Sequence, residues 1–324
     1  MSFIELDACA DHRLTLHEFN PQSDKLLICF SRKGGGMGQT GFGTAFCQKN
    51  GWNHLYVGHT PQSRYQSLSF ERFQEAVSPH TEGRDVITYG PSAGGYAALY
   101  FGGAVNARIL AASPRNTYHP IRTNAWKWEE EDKPTDPDGK FTHSARLKDL
   151  PRSSHAPTIL YDPRDGRDSA LVNRWALSAY PDAKLIHLPN SGHKSLDYLS
   201  KIGSLSYFLR SFVEQTPLDP ERLLAPKGTL ERTLQDGATA YESKDYDRAA
   251  ELLSQDLSCL GTSNLLDLYL SSTALSENKL ASQRIRAWVE AGELVSSDLR
   301  PWARRDLAKI LALDAAKEEI QTSP

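Results

Sequence analysis

Over the first two thirds of the chain, short apolar runs of strand length alternate with stretches whose apolar positions recur at helical spacing. Residues 26–30, 55–57, 85–89, 108–111, 158–161 and 183–188 read as strands. Helical patterns fill 43–49, 68–77, 96–104 and 170–179; in the second of these the repeating positions are Leu68, Phe70, Phe73 and Val77. Strands that alternate with helices are joined by crossovers, and crossovers make a parallel sheet. The expected fold class is therefore α/β, a mostly parallel sheet with flanking helices, with residues 3–19 available as an antiparallel edge. The rhythm breaks at 114–156, a segment with Trp126, Trp128, an acidic run at 129–132 and several prolines. A long insertion inside a compact domain is usually functional, and this one reads as lid-like.

After residue 216 the material changes. All ten histidines lie at or before His193, and 18 of the 22 glycines precede residue 217. Residues 217–228 hold three prolines and a closing glycine, which mark a linker. Residues 229–324 are helical throughout and form a separate all-α region, with helices expected at 230–241, 246–257, 263–275, 279–291 and 299–315. In the first hairpin, Gly237, Tyr246, Ala249 and Leu253 are similar to packing positions of a tetratricopeptide repeat, although Thr233 and Asp236 depart from that pattern. Such a region serves either as a cap on the first domain or as a docking surface for a protein partner.

Composition narrows the classes. Apolar residues make up 39%, charged residues 24%, and the net charge is −3. These are values of a globular chain with room for a core and no basic field for nucleic acid. The −3 is an average of a body at +2 (residues 1–216) and a tail at −5. Cys9, Cys29, Cys47 and Cys259 show no paired spacing, which points to a reducing, cytoplasmic setting and away from a zinc site or disulfides. The first residues do not read as a signal peptide, and no run approaches the 18 apolar residues of a membrane span.

The chemistry concentrates at Gly90-Pro-Ser92-Ala-Gly94, a G-x-S-x-G between a strand and a helix. A serine on so tight a turn approaches the next helix closely, and its flanking residues must be small. A serine hydroxyl is a weak nucleophile until a base removes its proton and a third group orients that base. Both follow in order: Asp162, Asp165 and Asp168 crowd the loop after the 158–161 strand, and Gly192-His193 follows the last strand.

In these features residues 20–215 resemble the α/β-hydrolase superfamily. The resemblance implies Ser92 as nucleophile and His193 as base. It places Asp165 in the acid position, with Asp162 as the alternative and Asp168 as a helix N-cap. It also implies an oxyanion hole from the backbone N–H of Ala93 and one from the loop after the first parallel strand, Lys33 or Arg32. That loop, with Gly34, Gly35, Gly36 and Gly38, lacks the register of either phosphate-cradling motif. Arg32 and Lys33 suit an acidic substrate group, or are simply solvated. The insertion offers Tyr118, Trp126 and Trp128 as substrate-stacking aromatics or as staples.

The expected activity is that of a serine hydrolase cleaving a small-molecule or glycan ester through an acyl-enzyme, with no cofactor and no metal. An acyltransferase passing the acyl group to a glycan or metabolite hydroxyl would use the same residues. A scaffold that binds a partner through its C-terminal helices is the reading from another class.

Overall fold

The computed structural model describes residues 3–115, 143, 146–255, 257–260, 264–276 and 278–321, with only the backbone of 264 and 313–321. The chain parts into two compact units, Met1–Leu218 and Asp219–Pro324.

The first unit is built on strands β1 (Ile4–Ala8), β2 (His12–His17), β3 (Lys25–Phe30), β4 (Asn53–His59), β5 (Asp85–Pro91), β6 (Arg108–Ala112), β7 (Thr158–Tyr161) and β8 (Lys184–His187). They form one eight-stranded sheet in the order β1-β2-β4-β3-β5-β6-β7-β8. Strands β3 to β8 run parallel to one another. The hairpin β1–β2 supplies the antiparallel edge, joined through the β2–β4 pairing. The strands nearest the centre are apolar without alternation, as in Leu-Leu-Ile-Cys-Phe of β3, because both faces are covered. The outermost strands β1 and β8 are instead exposed and carry Glu5, Asp7 and Lys184, charges that blunt a free edge.

Helices α1 (Thr44–Asn50), α2 (Phe70–Val77) and α3 (Ala93–Gly102) connect the first parallel strands. Every residue of α3 is buried, and its sequence is correspondingly small and aromatic, Ala-Gly-Gly-Tyr-Ala-Ala-Leu-Tyr-Phe-Gly. It starts three residues before the predicted 96, directly after Ser92. After β7, α4 (Gly166–Leu171) passes through a π-turn (Val172–Ala176) into α5 (Leu177–Ala179). This helix begins four residues earlier than its apolar pattern predicts, and that shift matters for the site. Helices α6 (Ser195–Lys201) and α7 (Leu205–Glu214) close the unit.

Of the insertion, Tyr118, Trp126 and Trp128 lie outside the described residues. Its end is part of the body: His143 is fully buried, donates or accepts at Tyr96 Oη (3.0 Å), and stacks on Tyr100 with ring centroids 4.0 Å apart.

The second unit holds α8 (Leu230–Glu242), α9 (Tyr246–Leu253), α10 (Leu257–Leu260), α11 (Asn264–Ser276), α12 (Lys279–Glu290) and α13 (Pro301–Gln321). The helix predicted over 246–257 ends at Leu253, and a separate short helix begins at Leu257. The core of the unit is its own, built on Leu234, Leu253, Tyr269, Ile285, Trp288 and Ile310. Gly237 faces Leu253 so closely that a Cβ there would stand 2.9 Å from its Cγ. The expected linker is partly structured: Leu223 and Ala225 are buried, and the Ala225 N–H donates to Gln235 Oε1 at 3.0 Å. Among the described residues, no helix is long and apolar enough to cross a membrane.

Candidate active site

Ser92 occupies the turn between β5 and α3 with φ 55° and ψ −118°, a conformation that L residues rarely adopt. The turn is held by the Ser92 N–H donating to the Ala112 carbonyl (2.8 Å) and the Arg115 N–H donating to the Ser92 carbonyl (3.0 Å). Its glycines are steric requirements. A Cβ on Gly94 would stand 2.1 Å from the Phe30 carbonyl oxygen, and one on Gly90 would stand 2.4 Å from the Gly94 carbonyl carbon. The tight turn thus presses helix α3 against the end of β3 and lifts the hydroxyl off the sheet.

The loop after β8 brings His193 to it. His193 Nε2 is 2.8 Å from Ser92 Oγ, and its Nδ1 is 2.9 Å from Asp168 Oδ2. The acid facing the histidine is therefore Asp168, and the expectation of Asp165 is corrected. The two aspartates exchange roles. Asp165 is the N-cap of α4, accepting from the N–H groups of Arg167 (3.1 Å) and Asp168 (3.0 Å). Asp168 is the third residue of that helix, where side chains lean toward the N-terminus and here toward the returning His193 loop. The missed signal is Asp165-Gly-Arg-Asp168 itself, the D-x-x-D spacing of a capping box.

Asp162 takes neither role. Its carboxylate accepts from the N–H of Gly192 (2.9 Å) and of Arg164 (3.0 Å), so it braces the turn that carries His193. Burial pushes its pKa above the ordinary carboxylate value, and these two donors offset that only in part.

Arg115 was not singled out by sequence. Its Nε donates to Asp168 Oδ1 at 2.8 Å, and its Nη2 donates to Asp165 Oδ1 at 2.7 Å. It compensates a carboxylate that has no exposed surface, and its backbone holds the Ser92 turn. Pairings between residues about fifty positions apart leave no local pattern.

Ala93 lies in the first turn of α3, where a backbone N–H has no intrahelical acceptor. Lys33 and Arg32 border the same pocket as Ser92. The glycine loop beyond them turns carbonyls toward the body: Tyr56 Oη donates to the Gly35 and Gly36 carbonyls, Arg13 to Met37, and His17 approaches Gln39. The pocket measures about 320 Å³, with Phe42, Leu196 and Leu205 on its apolar side. A larger hollow of about 760 Å³ lies in the helical unit, lined by Asp267, Glu293, Asp298 and Arg300 among apolar residues and by no histidine.

The cysteines are not all apart in space. Cys29, Cys47 and His54 put their donor atoms within 4.8 Å of one another, all buried, and none of them lines the Ser92 pocket. Burial pushes the Cys29 thiol well above its ordinary pKa, which opposes the thiolate a metal needs.

No family model and no curated protein matches the sequence. Among solved structures, the chain is similar to Est1E from Butyrivibrio proteoclasticus, with 14% identity over 66% of this chain and 100% of that one and a TM-score of 0.42. It is similar to alpha/beta hydrolase domain-containing protein 10 from mouse at 11% identity, covering 67% and 100%, with a TM-score of 0.42. A glycosylation-associated protein complex from Streptococcus agalactiae gives 14%, 64%, 46% and 0.46. The chemistry rests on the distances above and not on these likenesses.

Proposed function

We propose that the body of this chain, with its eight-stranded sheet in the order β1-β2-β4-β3-β5-β6-β7-β8, is a serine hydrolase of the α/β-hydrolase type that cleaves a carboxylic ester through an acyl-enzyme. The observation that carries the reading is the unbroken chain Ser92 Oγ, His193 Nε2, His193 Nδ1 and Asp168, with links of 2.8 and 2.9 Å. His193 takes the Ser92 proton as Oγ attacks the acyl carbon, and Asp168 holds the ring in the tautomer with Nδ1 protonated. The Ala93 N–H, with one from the Arg32–Lys33 stretch, receives the oxyanion. His193 returns the proton to the leaving alcohol, and water then repeats the sequence in reverse. Arg115 pairs with the buried Asp168 carboxylate at 2.6 Å, which offsets the cost of burying its charge. A fluorophosphonate probe tests this: stoichiometric labelling of Ser92 in the folded protein, lost in Ser92→Ala and strongly slowed in His193→Ala, is expected. A folded wild-type protein that stays unlabelled overturns it.

A further inference from the structure

The Ser92 pocket is unbalanced in charge. Three cations line it, Arg32, Lys33 and Lys194, against one carboxylate, Asp197. That carboxylate is already engaged, with Oδ2 3.2 Å from Arg32 Nη1. Lys33 and Lys194 have no ion-pair partner among the described residues. They arrive on separate loops that both border the nucleophile, one following β3 and one immediately following His193. Two unengaged ammonium groups at a concave site concentrate the field where a substrate enters. The rest of the wall is apolar at Phe42, Leu196 and Leu205, and the space, about 320 Å³, suits a small molecule.

We infer that the substrate of this site is a small carboxylic ester that also carries an anionic group, a carboxylate or a phosphate, which Lys33 and Lys194 receive while Ser92 attacks the acyl carbon. The inference rests on the hydrolase reading. In the chemical step the Ser92 Oγ–acyl bond forms, the acyl–alkoxy bond breaks, and the proton passes from Ser92 through His193 to the leaving alcohol. The anionic group undergoes no bond change and serves only to hold the substrate. Both lysines are exposed, so each contributes modestly, and added salt weakens them.

The experiment compares matched aryl esters on the full chain: 4-acetoxybenzoate, its neutral methyl ester, and 4-acetoxyphenyl phosphate. Release of the phenol reads acylation of Ser92 whichever acceptor follows. The anionic esters are expected to show the higher kcat/KM, through KM, with the advantage shrinking as salt rises. Lys33→Ala and Lys194→Ala each reduce the anionic-to-neutral ratio, roughly two- to fivefold, and Lys194→Glu reduces it further. The carboxylate and phosphate arms tell which anion is preferred. Ser92-dependent cleavage of the neutral ester at an equal or higher kcat/KM, or a ratio unmoved by all three variants, overturns the inference and leaves the hydrolase reading standing. Labelling of Ser92 without phenol release from any of the three also overturns it. No phenol release together with no fluorophosphonate labelling overturns both.

Discussion

A fully buried carboxylate is tolerated only where donors surround it, and Asp168 has His193 on one side and Arg115 on the other. Asp168→Asn leaves the shape intact but lets the side-chain amide favour the wrong imidazole tautomer, so kcat for ester cleavage falls by roughly ten-thousandfold. Asp165→Asn keeps a good N-cap and loses only its charge toward Arg115; the stability cost is under about 1 kcal/mol, and most of kcat survives. Measuring both variants by steady-state kinetics decides between the two aspartates, and the reverse order would show that the acid has been misassigned. Arg115→Met removes the compensating cation while His193 still donates, so unfolding free energy drops by roughly 3 kcal/mol, readable in urea titration. At this scale Ser92 and His193 stand out in the sequence because each is marked by neighbours one or two positions away: Gly90 and Gly94 around Ser92, and Gly192 before His193. Asp168, the carboxylate that faces His193, was hidden by its helix. Its position depends on where α4 starts, and α4 starts at a polar cap and not at the apolar repeat that marks its middle. Arg115 and Asp168 meet only in three dimensions.

Among the elements, the Ser92 turn and strand β4 are where local choices have the largest consequences. A methyl group at Gly94 meets the Phe30 backbone, which cannot rotate away as a side chain could. Gly94→Ala therefore either shifts α3 off β3 or costs about 3 kcal/mol, and a lowered Tm with loss of fluorophosphonate labelling is expected. Strand β4 carries a different vulnerability. His54 is fully buried, and burial, reinforced by His17 and opposed only in part by the Phe42 carbonyl, lowers its pKa from 6.5 to about 3. The unfolded chain protonates this imidazole near pH 6.5 while the native state does not. Stability is therefore complete above that pH and falls by roughly 1.4 kcal/mol per pH unit between about 6.5 and about 3. Burial lowers the pKa values of His12 and His59 as well, so they add to the same acid loss. Urea midpoints at successive pH values should decline below pH 6.5, and less steeply in His54→Phe. The elements themselves were legible because a two-sided buried strand leaves a continuous apolar run. Their ends were less so, since Asp165 and Ser92 begin helices by side-chain capping and by backbone strain, neither of which follows hydrophobic period.

On the scale of the whole molecule, two materials meet where glycine and histidine usage falls, near residue 217, and the compact units part between Leu218 and Asp219. The cluster around Phe30, Phe73 and Phe101 draws all its residues from the first unit, and that around Tyr269, Ile285 and Trp288 draws all its residues from the second. Among the described residues, all that line the Ser92 pocket come before residue 206. A unit with its own core and a complete site is able to fold and react alone, so a chain ending at Leu218 should label at Ser92 and cleave the neutral aryl ester within about twofold of the full-length rate. The charge distribution adds a second readout of the same truncation. The tail carries −5 and the body +2, and a tail near enough to act on the site would repel an anionic ester. Removing it would then raise kcat/KM for the anionic ester alone, and more at low salt than at high. An unchanged anionic-to-neutral ratio at every ionic strength assigns the acidic helices a task remote from catalysis, and a truncated body that folds but loses labelling shows that they complete the site.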